Sequence, residues 1–107
     1  MTEVISNKII KSQCVLEVDS NIIDYKETDE IIVILTEHKL YGVNLNSKRD
    51  KFDIIFSIDI NKPFKTIEYS SINKLVYCGI ATDNSKYIYN LQGKYIGMVG
   101  KDFDGRW

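Results

Sequence analysis

The chain has 107 residues, of which 44% are hydrophobic and 27% are charged, and its formal net charge is −1. This length predicts a single domain, and the composition is ordinary for a soluble globular protein. The small net charge gives no electrostatic support to nucleic-acid binding, and no apolar run approaches the length of about 18 residues that a membrane span needs. The N-terminus shows no basic region followed by an apolar stretch, so we expect no signal peptide and a cytoplasmic protein.

A short segment recurs three times along the chain, over residues 11–19, 51–59 and 94–102. Each copy begins with a lysine, continues through an apolar core typical of a strand and closes with an aspartate. The copies begin 40 and 43 residues apart. This spacing is typical of one four-stranded blade of a β-propeller. The repeat also matches Tyr41 with Tyr87.

Strand signals follow one another in chain order around these segments. Residues 3–5 and 9–18 resemble the last two strands of a preceding unit. Two complete repeats follow, each with four strand signals. These signals lie at residues 21–25, 30–36, 39–45 and 52–58, and at residues 65–69, 74–81, 86–91 and 95–99. The connections are short, as in hairpins, so each repeat is expected to form an antiparallel meander.

The fold class follows from composition and spacing. Apolar runs such as residues 31–35 do not alternate, and periodicity alone would also allow a buried helix. Their shortness, β-branching and regular spacing favour strands that are covered on both faces. We therefore predict an all-β domain, an incomplete (half) β-propeller of about two and a half four-stranded antiparallel blades. The predicted units are a partial blade over 1–19, blades over 20–59 and 60–102, and a C-terminal tail over 103–107.

Catalytic and metal-binding groups are sparse in the sequence. His38, the only histidine, lies in a predicted hairpin loop, and the sequence identifies no nucleophile or acid with which it would act as a general base. Cys14 and Cys78 lie in apolar runs and are predicted to be small buried side chains, although a disulfide is the alternative. Two distant cysteines and one histidine do not make a metal site. We therefore predict no enzyme activity, no metal and no cofactor.

One end of the predicted meanders collects acidic side chains. The loops that join blades and the loops between the second and third strands of a blade open on the same face. The candidate partner-binding residues on or near this face are Asp19, Glu37, His38, Asp59, Asp83, Asp102, Asp104 and Trp107. Two interpretations stay open: the aspartates cap turns by accepting local backbone amides, or they form an acidic surface for a partner. Trp107 is a candidate interface anchor, because tryptophan is frequent among binding hot spots.

The opposite end carries both signs of charge. The loop over residues 46–51, together with Lys94, is mixed to basic. A second acidic run, over residues 27–30, lies in the hairpin that joins the first two strands of a repeat. We expect this run to be a solvated turn.

The partial repeat set and the three closing aspartates resemble an immunity protein of a contact-dependent growth inhibition system. The resemblance is to the half-propeller type that is paired with a ribonuclease A-like toxin domain. It implies a cytoplasmic protein that binds a cognate toxin nuclease, covers its basic active-site cleft and has neither enzymatic activity nor a cofactor. Its partner would be a protein, with no nucleic acid and no membrane involved. The alternative is a structural module in which two copies close a five-bladed ring as a homodimer.

Overall fold

A computed structural model describes residues 2–80 and 84–99 of the chain. Every regular element within these residues is a β-strand, which confirms the all-β prediction. The strands are β1 (Thr2–Ile5), β2 (Lys8–Lys11), β3 (Cys14–Glu17), β4 (Ile22–Glu27), β5 (Ile32–Thr36), β6 (Lys39–Asn46), β7 (Lys51–Asp59), β8 (Phe64–Ser70), β9 (Leu75–Ile80), β10 (Lys86–Asn90) and β11 (Tyr95–Val99).

The strands form three antiparallel sheets that follow one another along the chain. The first sheet has the order β1-β2-β3, the middle sheet β4-β5-β6-β7 and the third sheet β8-β9-β10-β11. Each is a simple meander, as predicted from the short connections. The repeated segment supplies the last strand of each sheet, namely β3, β7 and β11. The chain then passes from this last strand to the first strand of the next sheet.

The first sheet differs from its prediction. Residues 9–18 were expected to form one strand, but a turn at Ser12 and Gln13 divides them into β2 and β3. Both residues have positive φ, 51° and 67°, and Lys11 on one side of the turn pairs with Cys14 on the other. The two-strand prediction is therefore wrong, and the sheet has three strands. Neither glycine nor asparagine marks this turn, so the usual sequence signal for a tight hairpin is missing.

The middle sheet is covered on both of its faces. In β5, Ile32 and Ile34 join the cluster that packs against the first sheet, which we call the first interface. Their neighbours Val33 and Leu35 join the cluster that packs against the third sheet, the second interface. Successive residues of a strand point to opposite faces, so one strand contributes to both interfaces. This two-sided burial accounts for the apolar run without alternation.

Phe56 is a main contact of the second interface. Its ring lies against Gly42 and against Gly93, and a Cβ atom added at either glycine would overlap that ring. Gly93 also has a φ of +84°, which side chains rarely adopt. The two glycines thus make the room in which a large side chain packs.

The two cysteines are buried and unpaired, one in each interface. Cys14 belongs to the cluster of the first interface and Cys78 to that of the second. Their prediction as buried side chains is confirmed. Burial raises the pKa of the Cys78 thiol to about 12, and the charge of Lys86 opposes this only in part.

In residues 2–80 and 84–99, we find no helix of the length and apolar character that a bilayer crossing demands.

Candidate functional site

Four of the predicted site residues meet at one end of the sheets. Asp19 lies in the β3–β4 connection, Glu37 and His38 form the β5–β6 turn, and Asp59 ends β7. The amide of Ile60 donates a hydrogen bond to the His38 carbonyl at 2.9 Å, so the β7–β8 connection reaches the same turn. We call this end, formed by residues 18–21, 37–38 and 59–63, the loop end. The other predicted residues, Asp83, Asp102, Asp104 and Trp107, lie outside the described residues.

Asp19 ties the first sheet to the middle sheet. Its Oδ1 accepts hydrogen bonds from the hydroxyls of Tyr41 at 2.8 Å and Thr36 at 3.0 Å, while Ser20 donates to Oδ2 at 3.1 Å. Partial burial raises the pKa of Asp19, but these three hydrogen bonds together outweigh it and hold the pKa below its ordinary value. Its side-chain partners are hydroxyl groups, two of them from β5 and β6. Asp19 therefore acts across the first interface.

Asp59, which closes the second copy of the repeat, has a different environment. Its side chain is 87% exposed, and its Oδ1 lies 3.0 Å from Lys39 Nζ, which raises the pKa of Lys39. Asp59 is still a strand residue, paired with Lys39 in the β6–β7 ladder. Glu37 and His38 beside it are exposed, with Glu37 Oε2 at 3.9 Å from His38 Nε2. These three side chains are open to a partner.

A cleft lined by aromatic rings opens beside Asp59. Its volume is about 310 Å³, and we call it the aromatic cleft. Its lining comprises Asp59, Ile60, Asn61, Lys62, Phe64, Tyr87, Tyr89 and Tyr95. The Phe64 and Tyr87 ring centroids are 5.3 Å apart, those of Tyr89 and Tyr95 are 5.5 Å apart, and Lys62 Nζ lies 5.1 Å from the Tyr87 centroid.

The aromatic cleft was not predicted from the sequence. One signal was available, because Tyr87 and Tyr89 alternate along a predicted strand and so share a face. Burial raises the pKa of Tyr89 from 10.0 to about 12, so its hydroxyl stays neutral even in moderately alkaline solution. Half of Tyr95 is exposed at the side of the cleft, which leaves the rings accessible.

The described part of the loop end is nearly balanced in charge. The carboxylates of Asp19, Glu37 and Asp59 lie on it together with the ammonium group of Lys62, and Lys39 at the start of β6 pairs with Asp59. The sequence predicted an acidic surface. Such a surface would also need Asp83, Asp102 and Asp104, which lie outside the described residues.

The opposite end holds the second acidic run and a smaller cleft of about 260 Å³. Asp29 and Glu30 are exposed in the β4–β5 turn, where the Thr28 hydroxyl accepts the amides of Glu30 and Ile31 at 3.1 and 2.9 Å. Lys11 Nζ lies 3.0 Å from Glu27 Oε2 and joins this turn to the first sheet. The run is thus a hydrogen-bonded, solvated turn, as expected.

Residues 2–80 and 84–99 bring together no group of three or more histidine, cysteine or carboxylate side chains that could hold a metal ion. Comparison of the chain with models of protein families, with curated proteins and with solved structures finds no match. The candidate functional site is the loop end, where exposed carboxylates lie next to a cleft of aromatic rings.

Proposed function

We propose that this protein is an immunity protein that binds and neutralises a cognate toxin nuclease domain, a ribonuclease, by covering its basic active-site cleft. One observation carries the proposal: the β3–β4 connection, the β5–β6 turn and the end of β7 converge on the loop end, where they present the carboxylates of Asp19, Glu37 and Asp59. In this proposal the protein acts by binding, in the cytoplasm, without catalysis and without a cofactor.

The physical argument concerns complementary charge. A nuclease must attract phosphate, so its substrate cleft is basic. Carboxylates held in place on an inhibitor steer association with such a cleft and then occupy the site. The hydrogen bonds from Thr36 and Tyr41 to Asp19 support this, because a carboxylate that is already ordered loses less conformational freedom on binding.

We propose also that the three sheets are successive blades of an incomplete β-propeller. Two observations support this arrangement: the chain passes from the last strand of one sheet to the first of the next, and the first strands β4 and β8 lie against each other. A closed ring would need four or more such sheets. A crystal structure in which β4 and β8 diverge instead of approaching a common axis would contradict the arrangement.

The proposed function predicts that a neighbouring gene encodes a toxin domain, and that domain is the partner for the test. Co-expression should protect cells from that domain, and the purified pair should form a stable complex by calorimetry. The exposed pair Glu37→Lys and Asp59→Lys should weaken the complex at least about thirtyfold, which corresponds to about 2 kcal/mol, the lower end for loss of one partner of a buried interfacial charge pair.

A matched control separates the loop end from overall charge. Glu3→Lys and Glu17→Lys change the net charge equally, but both residues lie on the outward face of the first sheet. We expect this control to bind within about twofold of the wild type, because only long-range steering changes. Equal weakening by both double variants would contradict a site at the loop end.

The homodimer alternative is favoured by one specific observation. Ile5 and Val15 are 57% and 56% exposed on the outward face of the first sheet, which packs against nothing else among the described residues. Two copies that met through this face would bury them. Sedimentation equilibrium distinguishes the two functions, because a monomer of 12.4 kDa at micromolar concentration removes the alternative.

A further inference from the structure

The aromatic cleft occupies the place in the second interface that a closed hydrogen-bond network occupies in the first. By the sequence repeat, Asp59 corresponds to Asp19 and Tyr87 corresponds to Tyr41. At the first interface the Asp19 carboxylate accepts the Tyr41 hydroxyl at 2.8 Å. At the second, Asp59 and Tyr87 both line the open cleft, and among the described residues Lys39 is the polar partner of Asp59. An aspartate and a tyrosine are thus hydrogen-bonded to each other at the first interface, whereas the corresponding aspartate and tyrosine line an open cleft at the second.

The walls of the cleft combine the two features that bind an organic cation, an aromatic ring face and a carboxylate. Lys62 Nζ already lies over the Tyr87 ring, within the distance of about 6 Å at which the ring attracts a cation. The exposed carboxylate of Asp59 already holds the ammonium of Lys39 through one oxygen. Each feature thus already contacts an ammonium group of the chain itself, Lys62 within the cleft and Lys39 beside it.

The size and openness of the cleft limit what can enter. Its volume of about 310 Å³ is at the low end of the roughly 300–1,000 Å³ typical of small-molecule sites. Asn61 and Lys62 are exposed, so the cleft is open to solvent. These properties suit a single side chain better than a large cofactor. The lining holds one carboxylate, that of Asp59, and one ammonium group, that of Lys62, so a ligand that displaces Lys62 meets a carboxylate and is favoured if it is a cation.

We propose that the aromatic cleft receives a basic side chain, an arginine or a lysine, of the partner protein, and that this side chain displaces Lys62 from the Tyr87 ring. The inference rests on the proposed function and names a contact through which the loop end would hold its partner. The incoming guanidinium or ammonium lies against Tyr87 and pairs with the second carboxylate oxygen of Asp59. Lys62 then returns to solvent, where its charge is hydrated.

The experiment uses the free protein and a small probe. The isotope-labelled protein is titrated with N-acetyl-arginine amide and followed by NMR of the aromatic side chains. N-acetyl-citrulline amide, which has nearly the same shape but no charge, is the matched probe. We expect saturable shifts of the Tyr87 and Tyr95 ring signals with the arginine probe and no saturable shifts with citrulline.

Three variants locate the contact. Asp59→Asn should weaken binding of the arginine probe about two- to fivefold, the range for an exposed cation contact. Lys62→Gln should strengthen binding by a similar factor, because the internal competitor is gone. Glu17→Gln, on the first sheet, should leave binding unchanged. The backbone spectrum of each variant verifies its fold.

Several outcomes would overturn the inference: no saturable shifts with arginine, equal binding of citrulline, or weaker binding by Lys62→Gln. Shifts of the same rings with inorganic phosphate would instead identify an anion site and also overturn it. The probe does not involve the toxin, so the two proposals fail separately. Arginine binding without protection from any toxin contradicts the proposed function, and protection without arginine binding contradicts this inference alone.

Discussion

The two interfaces of the middle sheet begin from the same repeat and end in different structures. At the first interface, Asp19 has left β3, which ends at Glu17, so its carboxylate can turn toward Thr36 and Tyr41. At the second, Asp59 is still paired within β7, and its carboxylate contacts Lys39. The position of the aspartate relative to the end of its strand thus differs between the closed first interface and the second interface, which leaves a cleft. The closed interface buries a hydrogen-bonded carboxylate network, and the cleft is the surface that we propose for binding.

The largest effects should come from neighbouring residues of β5 that face opposite interfaces. Ile34→Ala and Leu35→Ala each remove a fully buried side chain, so each should lower the free energy of unfolding by about 2–5 kcal/mol. The two cysteines report the interfaces separately in thiol labelling of the native protein. Ile34→Ala should accelerate labelling of Cys14 most, and Leu35→Ala that of Cys78. Identical acceleration at both thiols would show that the interfaces open together.

A substitution at Gly42 should disturb the second interface alone. Gly42→Ala places a methyl group against the Phe56 ring and should cost about 1–3 kcal/mol by overpacking. Gly97→Ala is the matched control, because nothing lies within 4 Å of a Cβ atom there. Urea unfolding measures both variants. Equal stability of the two would contradict the close packing of Phe56 on Gly42.

The repeat aspartates should differ in their contribution to stability. Asp19→Ala leaves the buried Thr36 hydroxyl without its carboxylate acceptor and should cost about 1–3 kcal/mol. Asp59→Ala breaks an exposed ion pair, so its midpoint of thermal unfolding should stay within error of the wild type. A larger loss from Asp59→Ala would reverse the assignment of structural and binding roles.

Acid should reveal the role of Asp19. Its pKa is lower in the folded protein than the ordinary value of 3.8, so its stabilising contribution is complete above that value. The contribution is lost as the pH falls through the folded pKa. Asp19→Asn should therefore flatten the pH dependence of stability below about pH 4. An unchanged acid profile in this variant would show that other carboxyl groups cause it.

Titration with alkali should reveal the burial of Tyr89, with a smaller effect on stability than the substitutions described above. Its pKa is raised by burial from 10.0 to about 12, so stability associated with it is lost as the pH rises from 10 toward 12. Spectroscopic titration of tyrosinate should show a late phase whose amplitude falls by one tyrosine in Tyr89→Phe and is unchanged in Tyr95→Phe. Burial and the hydrogen bond to Asp19 also raise the pKa of Tyr41, so Tyr41 titrates late in both variants. An unchanged late amplitude in Tyr89→Phe would contradict the burial of Tyr89.

The strands could be predicted because short β-branched runs and hairpin connections are local signals. The repeat also identified the last strand of each sheet, since β3, β7 and β11 carry its apolar core. The turn at Ser12 and Gln13 was missed, because its residues lack the usual turn preference. The different surroundings of Asp19 and Asp59 and the aromatic cleft depend on side chains from adjacent sheets. Contacts of that kind have no local sequence pattern.

A substitution in the β2–β3 turn should increase the stability of the protein. A two-residue hairpin with positive φ at both positions suits an asparagine followed by a glycine, whereas Ser12 and Gln13 adopt it at a conformational cost. Gln13→Gly alone should relieve part of that cost and raise the unfolding free energy by about 0.5–1 kcal/mol. The turn lies away from the loop end, so such a variant could serve as a more robust background for mutations that damage the binding surface.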